Sequence, residues 1–144
     1  SHSGYLIKLG GFPLVWKSQL QTSIVQSTLE SEYACLSSAL RELLVLSRIL
    51  KEIVVALKLQ APLITSLHAR AFQDNNGALQ LAMTHRLTAC THYFAMKYHW
   101  FWQHYTDGNF EIMSCSTHNM EADFLTNPLP REVFEKMCKL VLGW

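Results

Sequence analysis

Apolar residues follow two different periods along this chain, and the change of period predicts the order of its elements. Tyr5 to Leu9 is a short apolar run that ends at Gly10-Gly11, and Leu14-Val15-Trp16 resumes it. Two apolar runs around a glycine pair are typical of a β-hairpin. A further short extended segment is predicted over Ser23 to Gln26.

A long helix is predicted to begin near Thr28. Ser27 and Glu30 have the spacing of a capping box, in which the serine side chain accepts from a backbone N–H and the glutamate reaches back. Apolar residues then recur at intervals of three or four positions, which is the period of a helix: Tyr33, Leu36, Leu40, Leu43, Leu46, Leu50, Ile53 and Leu57. Four more widen the apolar surface, namely Leu44, Val45, Ile49 and Val54. We therefore expect this helix to be buried on more than one side.

Strands and helices alternate in the rest of the chain. Strands are predicted over Ile64 to Gln73 and over Asn109 to Ser114. Helices are predicted over Asn76 to Met83, Tyr93 to Tyr105, Asn119 to Leu125 and Arg131 to Leu142. This alternation is typical of a layered α/β or α+β domain.

Three acidic residues stand where predicted elements begin or end. Glu32 lies near the start of the long helix, Asp74 ends a strand, and Asp123 lies early in a short helix. Functional residues of layered sheets gather at strand ends and helix starts. Acidic residues are scarce in this chain, so the three are candidates for one shared metal-binding cluster.

Each of these residues also has a simpler interpretation. Glu32 could be a first-turn glutamate favoured by the helix dipole, Asp74 could cap the following helix, and Asp123 could be solvated. Glu30 competes with Glu32, but residues two apart on a helix point to nearly opposite faces. The capping box already accounts for Glu30, which favours Glu32 for the metal role.

Length, composition and charge narrow the class of protein. A chain of 144 residues usually forms one domain, so residues 1–144 are expected to form a single one. Hydrophobic residues make up 49%, which is enough for a core and argues against disorder. The formal net charge of +1 means that binding to a polyanion would need a local patch.

The four cysteines form no CxxC pair, so we expect free thiols in a reducing compartment rather than a structural zinc site. No apolar run has the length of a membrane span, and the N-terminus lacks the pattern of a signal peptide. No membrane partner is expected.

Several short motifs run in order along nearly the whole chain: Val15-Trp16-Lys17-Ser18, Gln21-Thr22, Ser31-Glu32-Tyr33, Leu36-Ser37, Asp74-Asn75, Lys97-Tyr98-His99, Ala122-Asp123 and Leu125-Thr126-Asn127-Pro128-Leu129-Pro130. No single motif is decisive, but the ordered set is specific. Together they resemble the ribonuclease H domain of copia-type retrotransposon Pol polyproteins.

The resemblance implies an α/β fold of the ribonuclease H type, a five-stranded mixed sheet with helices on its faces. It implies hydrolysis of the RNA strand of RNA–DNA hybrids during reverse transcription, with two Mg²⁺ ions (or Mn²⁺) held by four carboxylates. Glu32, Asp74 and Asp123 match three of the four by motif position. Mg²⁺ prefers hard oxygen ligands, and two such ions roughly 4 Å apart stabilise both the attacking and the leaving oxygen of a phosphodiester.

The resemblance also implies partners and a location. The partners are an RNA–DNA hybrid and the reverse transcriptase domain of the same polyprotein. The location is intracellular, cytoplasmic or nuclear, in the virus-like particle of a retrotransposon.

One departure from the family concerns the N-terminus. The family's first strand is central in the sheet and carries an acidic residue, and both would lie before Ser1. We therefore expect an N-terminally incomplete domain, with the central strand missing, that cleaves hybrids poorly or not at all. The alternative is a catalytically inactive remnant that binds nucleic acid weakly or packs against a reverse transcriptase domain.

Polar residues at predicted groove positions are candidates for nucleic-acid binding, namely Lys17, Ser18, Gln73, Asn75 and Asn76. Such groups can contact phosphates or the 2′-hydroxyl that distinguishes RNA from DNA. Exposed aromatic residues near Lys97 could also meet nucleic acid, although a core or partner-domain contact is the simpler interpretation.

Overall fold

The computed structural model describes residues 2–21, 27–59, 67–84 and 88–143. Strands β1 (His2–Leu9) and β2 (Phe12–Leu20) pair antiparallel and confirm the predicted hairpin. Gly10 adopts a φ of 59° in the connecting turn, a conformation that glycine tolerates without a steric cost. The segment predicted as extended over Ser23 to Gln26 lies outside the described residues.

Helix α1 (Thr28–Ala56) begins where the capping pattern predicts. The Ser27 side chain accepts a hydrogen bond from the backbone N–H of Glu30 at 3.1 Å, as in the first half of a capping box. The N-terminal half of α1 carries most of its buried residues, including Tyr33, Leu36 and Leu40.

The expectation that α1 is buried on more than one side is wrong for its C-terminal half. Val54 is buried there, but Val45, Ile49 and Ile53 are 52%, 45% and 45% exposed. Most of the buried residues of α1 lie in its first half, so the hydrophobic period continues beyond the part of the helix that the described elements cover best.

Strands β3 (Arg70–Gln73) and β4 (Glu111–Ser114) form a parallel pair. The strand predicted from Ile64 is shorter in the structure, because residues 67–69 have no regular conformation and residues 60–66 lie outside the description. Helix α2 (Asn76–Thr84) follows β3 and confirms the helix predicted there. A Cβ at Gly77 would lie 3.1 Å from the Leu29 side chain, so glycine lets α2 approach α1 closely.

The aromatic-rich segment is broken rather than one helix from Tyr93 to Tyr105. It consists of α3 (His92–Tyr98), a 3₁₀ turn (His99–Phe101) and α4 (Trp102–Thr106). The break has a packing cause. The tighter turn places Phe101, which is fully buried, between the rings of Tyr33 and Phe110, at centroid distances of 5.7 and 6.3 Å.

The C-terminal region is also less helical than predicted. Two 3₁₀ turns, Thr117–Asn119 and Glu121–Leu125, replace the helix expected over Asn119 to Leu125. Met120 between them has an extended conformation (φ −74°, ψ 92°), which interrupts helical hydrogen bonding. Helix α5 (Arg131–Leu142) has the predicted bounds.

The four described strands form two separate pairs, β1–β2 and β3–β4, in a mixed α/β arrangement. The main core lies between the first half of α1, α2, Phe101 and the start of β4. None of the described helices is long and apolar enough to cross a membrane. The positions of the two pairs relative to α1 determine where the acidic residues meet.

Candidate metal-binding carboxylate site

Glu32 reaches the site from the first turns of α1. Its side chain is partly buried, and this burial raises the pKa of its carboxyl above the ordinary value. The negative charges of Asp74 and Asp123 raise that pKa further. Because such charge effects act at short range, α1 brings Glu32 close to two carboxylates that lie far away in sequence.

A buried glutamine shapes the turn that presents Asp74. Gln73, at the end of β3, is only 6% exposed. Its Oε1 accepts hydrogen bonds from the backbone N–H groups of Asp74 and Asn75, at 2.9 and 3.0 Å. The Asn75 side chain then accepts from the N–H of Ala78 at 3.0 Å and caps α2. The interpretation of Asp74 as the helix cap is therefore wrong, because Asn75 has that role.

Asp123 lies in the 3₁₀ turn Glu121–Leu125. Its backbone carbonyl accepts from the N–H groups of Thr126 and Asn127, at 3.1 and 2.9 Å, and from the Thr126 hydroxyl at 3.2 Å. Burial raises the pKa of the Asp123 carboxyl, and the charge of Asp74 raises it further. The turn thus directs Asp123 toward the end of β3.

Glu30 lies on a different side of α1. It is absent from the charges that raise the pKa of Glu32 or Asp123. Lys97 has a raised pKa, chiefly from a hydrogen bond to Tyr98, and the charge of Glu30 adds to it. The structure thus separates the two glutamates as the helical geometry predicts.

Cys115, one of the four cysteines predicted to be free thiols, is a neighbour of the carboxylates. Its N–H donates to the carbonyl of Gln73 at 3.0 Å, which extends the β3–β4 pairing by one residue. Burial raises the pKa of its thiol, and the charges of Asp74, Glu121 and Asp123 contribute. A signal existed in the sequence, since the residues after two adjacent parallel strands share one edge of a sheet.

The donor chemistry of the site suits a hard divalent cation. The charges of Asp74 and Asp123 raise the pKa of the Glu32 carboxyl, and the charge of Asp74 raises that of Asp123, so a cation such as Mg²⁺ would offset this repulsion. Among the described residues, no three His, Cys, Asp or Glu side chains are close enough together to hold one ion. The residues therefore fit the charge of a metal better than its coordination geometry.

A pocket of about 310 Å³ lies between α1 and the hairpin. Its lining includes Lys17, Lys97, Tyr5, Tyr98, Ser3, Ser38, Gln21 and Cys35. The Oε1 of Gln21 is buried there without a hydrogen-bond partner among the described residues. Cys35 donates to the carbonyl of Gly4 at 3.3 Å, and burial raises the pKa of its thiol to about 11, so it stays protonated at neutral pH.

The other candidates for nucleic-acid binding are placed differently. Ser18 follows Lys17 on β2 and points to the opposite face, where its hydroxyl donates to the carbonyl of Leu125 at 2.6 Å. Gln73 is buried, whereas the Asn75 side chain is partly exposed and uses its Oδ1 to cap α2. Asn76 is exposed at the start of α2.

Three plant proteins are similar to this chain. It is 30% identical over 146 residues to the retrovirus-related Pol polyprotein from transposon TNT 1-94 of Nicotiana tabacum, with 99% of the chain aligned. It is 29% and 28% identical over 141 residues to the retrovirus-related Pol polyproteins from transposons RE2 and RE1 of Arabidopsis thaliana, with 98% aligned.

The chain spans about a tenth of the length of these curated relatives. No family profile matches it, and no solved structure matches it. The alignments cover nearly all of the chain, and all three relatives are retrovirus-related Pol polyproteins from transposons. The homologues of this chain are copia-type retrotransposon Pol polyproteins, of which it matches one segment.

Proposed function

We propose that this chain is the ribonuclease H domain of a copia-type retrotransposon Pol polyprotein and that its site hydrolyses the RNA strand of RNA–DNA hybrids. The observation that carries the proposal is the convergence of Glu32, Asp74 and Asp123 from three distant parts of the sequence. Like charges brought near one another in a partly buried place destabilise a fold, and a bound cation would offset this cost in the working state.

Glu32, Asp74 and Asp123 would hold magnesium in this proposal. When bound, Mg²⁺ supplies charge stabilisation for the attacking and leaving oxygens of a phosphodiester. The protein contributes the placement. Helix α1 carries Glu32 on a rigid element, Gln73 shapes the turn that bears Asp74, and the carbonyl of Asp123 accepts the hydrogen bonds that close its own turn.

The pocket beside the hairpin supports nucleic acid as the substrate class. Lys17 and Lys97 place two positive charges at one opening, with tyrosine and serine hydroxyls beside them. Lysine and hydroxyl groups contact phosphates in proteins that bind nucleic acid. Cys35 lines this pocket, and the charge of Glu32 raises the pKa of the Cys35 thiol, so Glu32 lies near the pocket. A hybrid with its backbone in the pocket would therefore cross α1 near Glu32.

The proposal includes a fold. The two strand pairs would be the two sides of one five-stranded ribonuclease H-like sheet, with a central strand between β1 and β3. Both pairs already pack on α1. Tyr5 and Ile7 of β1 are buried and β1 contacts α1, while Ala71 of β3 packs against the core that contains Leu36 and Leu40.

The cellular setting follows from the same proposal. The reverse transcriptase domain of the polyprotein would deliver the hybrid, inside a virus-like particle in the cytoplasm or nucleus.

Cleavage of a labelled RNA–DNA hybrid tests the function. A polyprotein segment that includes this chain and the residues upstream of it should cleave only the RNA strand, and only with magnesium. This chain alone should cleave poorly. Asp74→Asn should reduce cleavage about 100-fold or more while leaving the fold intact, because the amide keeps the shape and loses the charge. Glu30→Gln is the matched control, since Glu30 is not part of the carboxylate site.

A second candidate function is a non-catalytic domain that binds nucleic acid weakly or packs against a reverse transcriptase. It is favoured by one observation, the absence of a closed three-ligand group among the described residues. Labelled double-stranded RNA and double-stranded DNA complete the assay. A folded polyprotein segment that leaves all three substrates intact would establish this second candidate in place of the nuclease.

A further inference from the structure

Lys8 makes contacts that the proposed site does not yet explain. Its ammonium group lies 2.8 Å from Oε2 of Glu121 and donates to the carbonyl oxygen of Leu140 at 3.3 Å. The partners are 113 and 132 residues away in sequence. The side chains of Lys8 and Glu121 are only 22% and 29% exposed. One lysine on β1 therefore joins the turn that carries Asp123 to helix α5.

The turn that carries Asp123 depends on such tertiary contacts. It is a 3₁₀ turn, whose hydrogen bonds have poorer geometry than those of an α-helix. It lies directly on the hairpin, because a Cβ at Gly4 would meet the Thr126 side chain at 2.7 Å and that of Leu125 at 3.0 Å. The hydroxyl of Ser18 holds the C-terminal end of the turn at Leu125, and Lys8 holds its N-terminal end at Glu121.

We propose that Lys8 is a positioning residue. By pairing with Glu121 and Leu140, it holds the turn Glu121–Leu125 against β1 so that Asp123 faces Glu32 and Asp74. It acts through Glu121 and touches neither substrate nor metal. This inference rests on the proposed metal role of Asp123.

The charge of Lys8 has a second effect in this arrangement. Glu121 is a further acidic residue beside the site, since its charge acts on Cys115 together with those of Asp74 and Asp123. The ion pair turns the Glu121 carboxylate toward β1 and balances its charge. Without Lys8, the negative charge of Glu121 would be left unbalanced beside the site.

The test compares Lys8→Met, Lys8→Arg and Glu121→Gln in the polyprotein segment used for the cleavage assay. Arg131→Met is the matched control, because Arg131 also pairs with a glutamate at 2.8 Å but is 90% exposed on α5. Three quantities are measured well below the melting temperature: the magnesium concentration for half-maximal cleavage, kcat and KM for the hybrid, and amide hydrogen exchange over residues 121–127.

Lys8→Met and Glu121→Gln should raise the required magnesium concentration about 10-fold to 100-fold, as residues behind metal ligands do. They should lower kcat while KM for the hybrid stays constant, and amide exchange over residues 121–127 should become faster. Lys8→Arg should keep most of the magnesium affinity and kcat of the unaltered protein, because arginine keeps the positive charge. Arg131→Met should behave as the unaltered protein. A Lys8→Met protein that melts earlier but keeps its magnesium requirement would show a merely structural role and overturn the proposal.

Failure of the proposed function is distinguishable from failure of this inference. If the unaltered segment cleaves no hybrid, the nuclease proposal fails and amide exchange decides about Lys8. Faster exchange over residues 121–127 in Lys8→Met than in Arg131→Met would support the positioning of the turn. Equal exchange in the two variants would overturn it.

Discussion

Glu32, Asp74 and Asp123 show at the scale of single residues how a site can oppose the stability of its own fold. Burial and mutual repulsion raise the pKa of Glu32 and of Asp123 above their ordinary values. Between the ordinary and the raised pKa, the folded state binds more protons than the unfolded state. The free energy of unfolding therefore falls as the pH rises through that window, and the ionised carboxylates lower stability at neutral pH.

Neutral substitutes should relieve this effect. Glu32→Gln and Asp123→Asn are each expected to raise the melting temperature at pH 7, and to change it little at about pH 3, where the carboxyls are protonated. Magnesium should raise the melting temperature of the unaltered chain more than that of either variant, because a ligand stabilises only the state that binds it. Thermal melts at both pH values, with and without magnesium, measure these melting temperatures. Glu52→Gln is the control, because Glu52 is exposed on α1. A lower melting temperature of both variants at pH 7 would contradict the electrostatic account.

Helix α1 shows at the scale of elements that a continuous hydrophobic period does not ensure continuous burial. Leu40 is fully buried in the core, whereas Ile49, more than two turns later on the same helix, is 45% exposed. Both residues belong to the apolar pattern that the sequence presents. Only the described elements that pack on the first half of α1 distinguish them.

Alanine substitutions along α1 should reproduce this difference. Leu40→Ala is expected to lower the free energy of unfolding by about 2–5 kcal/mol, because it leaves a cavity in the core. Ile49→Ala is expected to cost about 0.5 kcal/mol or less, as surface substitutions do, since alanine also favours the helix. Urea unfolding of the two variants measures both values. Similar losses at the two positions would show that the second half of α1 is covered in solution.

The two strand pairs pose the main question at the scale of the whole molecule. Within the described residues, β1 and β3 each pair along one edge only. Unpaired backbone groups are costly when buried, and an isolated two-stranded hairpin is marginally stable. β1 contacts α1 directly, and Ala71 of β3 packs against the core to which α1 contributes.

A strand between β1 and β3 should therefore stabilise the molecule. A longer protein that supplies this strand, as the proposed five-stranded sheet requires, is expected to have a higher melting temperature and slower amide exchange in both β1 and β3. The physical reason is that one added strand would satisfy backbone groups on two edges at once. Equal melting temperatures and equal exchange in the shorter and longer proteins would contradict the five-stranded sheet.

The sequence by itself determined the features that depend on a few neighbouring residues. Ser27 caps α1, the glycine pair closes the hairpin, and α5 has the bounds that its pattern predicts. Turn and cap chemistry act within a few residues, so they can be recognised without the rest of the chain. A shared metal site of Glu32, Asp74 and Asp123 stays a prediction from their positions at element ends and from resemblance, to which the structure adds the charge effects of Asp74 and Asp123 on Glu32.

Tertiary structure alone decided the remaining features. It broke the aromatic helix to bury Phe101, placed Cys115 beside the carboxylates, and paired Lys8 with Glu121. Each of these depends on which surfaces meet after the chain has folded. Contacts between residues more than a hundred positions apart leave no local periodicity, because their energy comes from packing and charge in three dimensions.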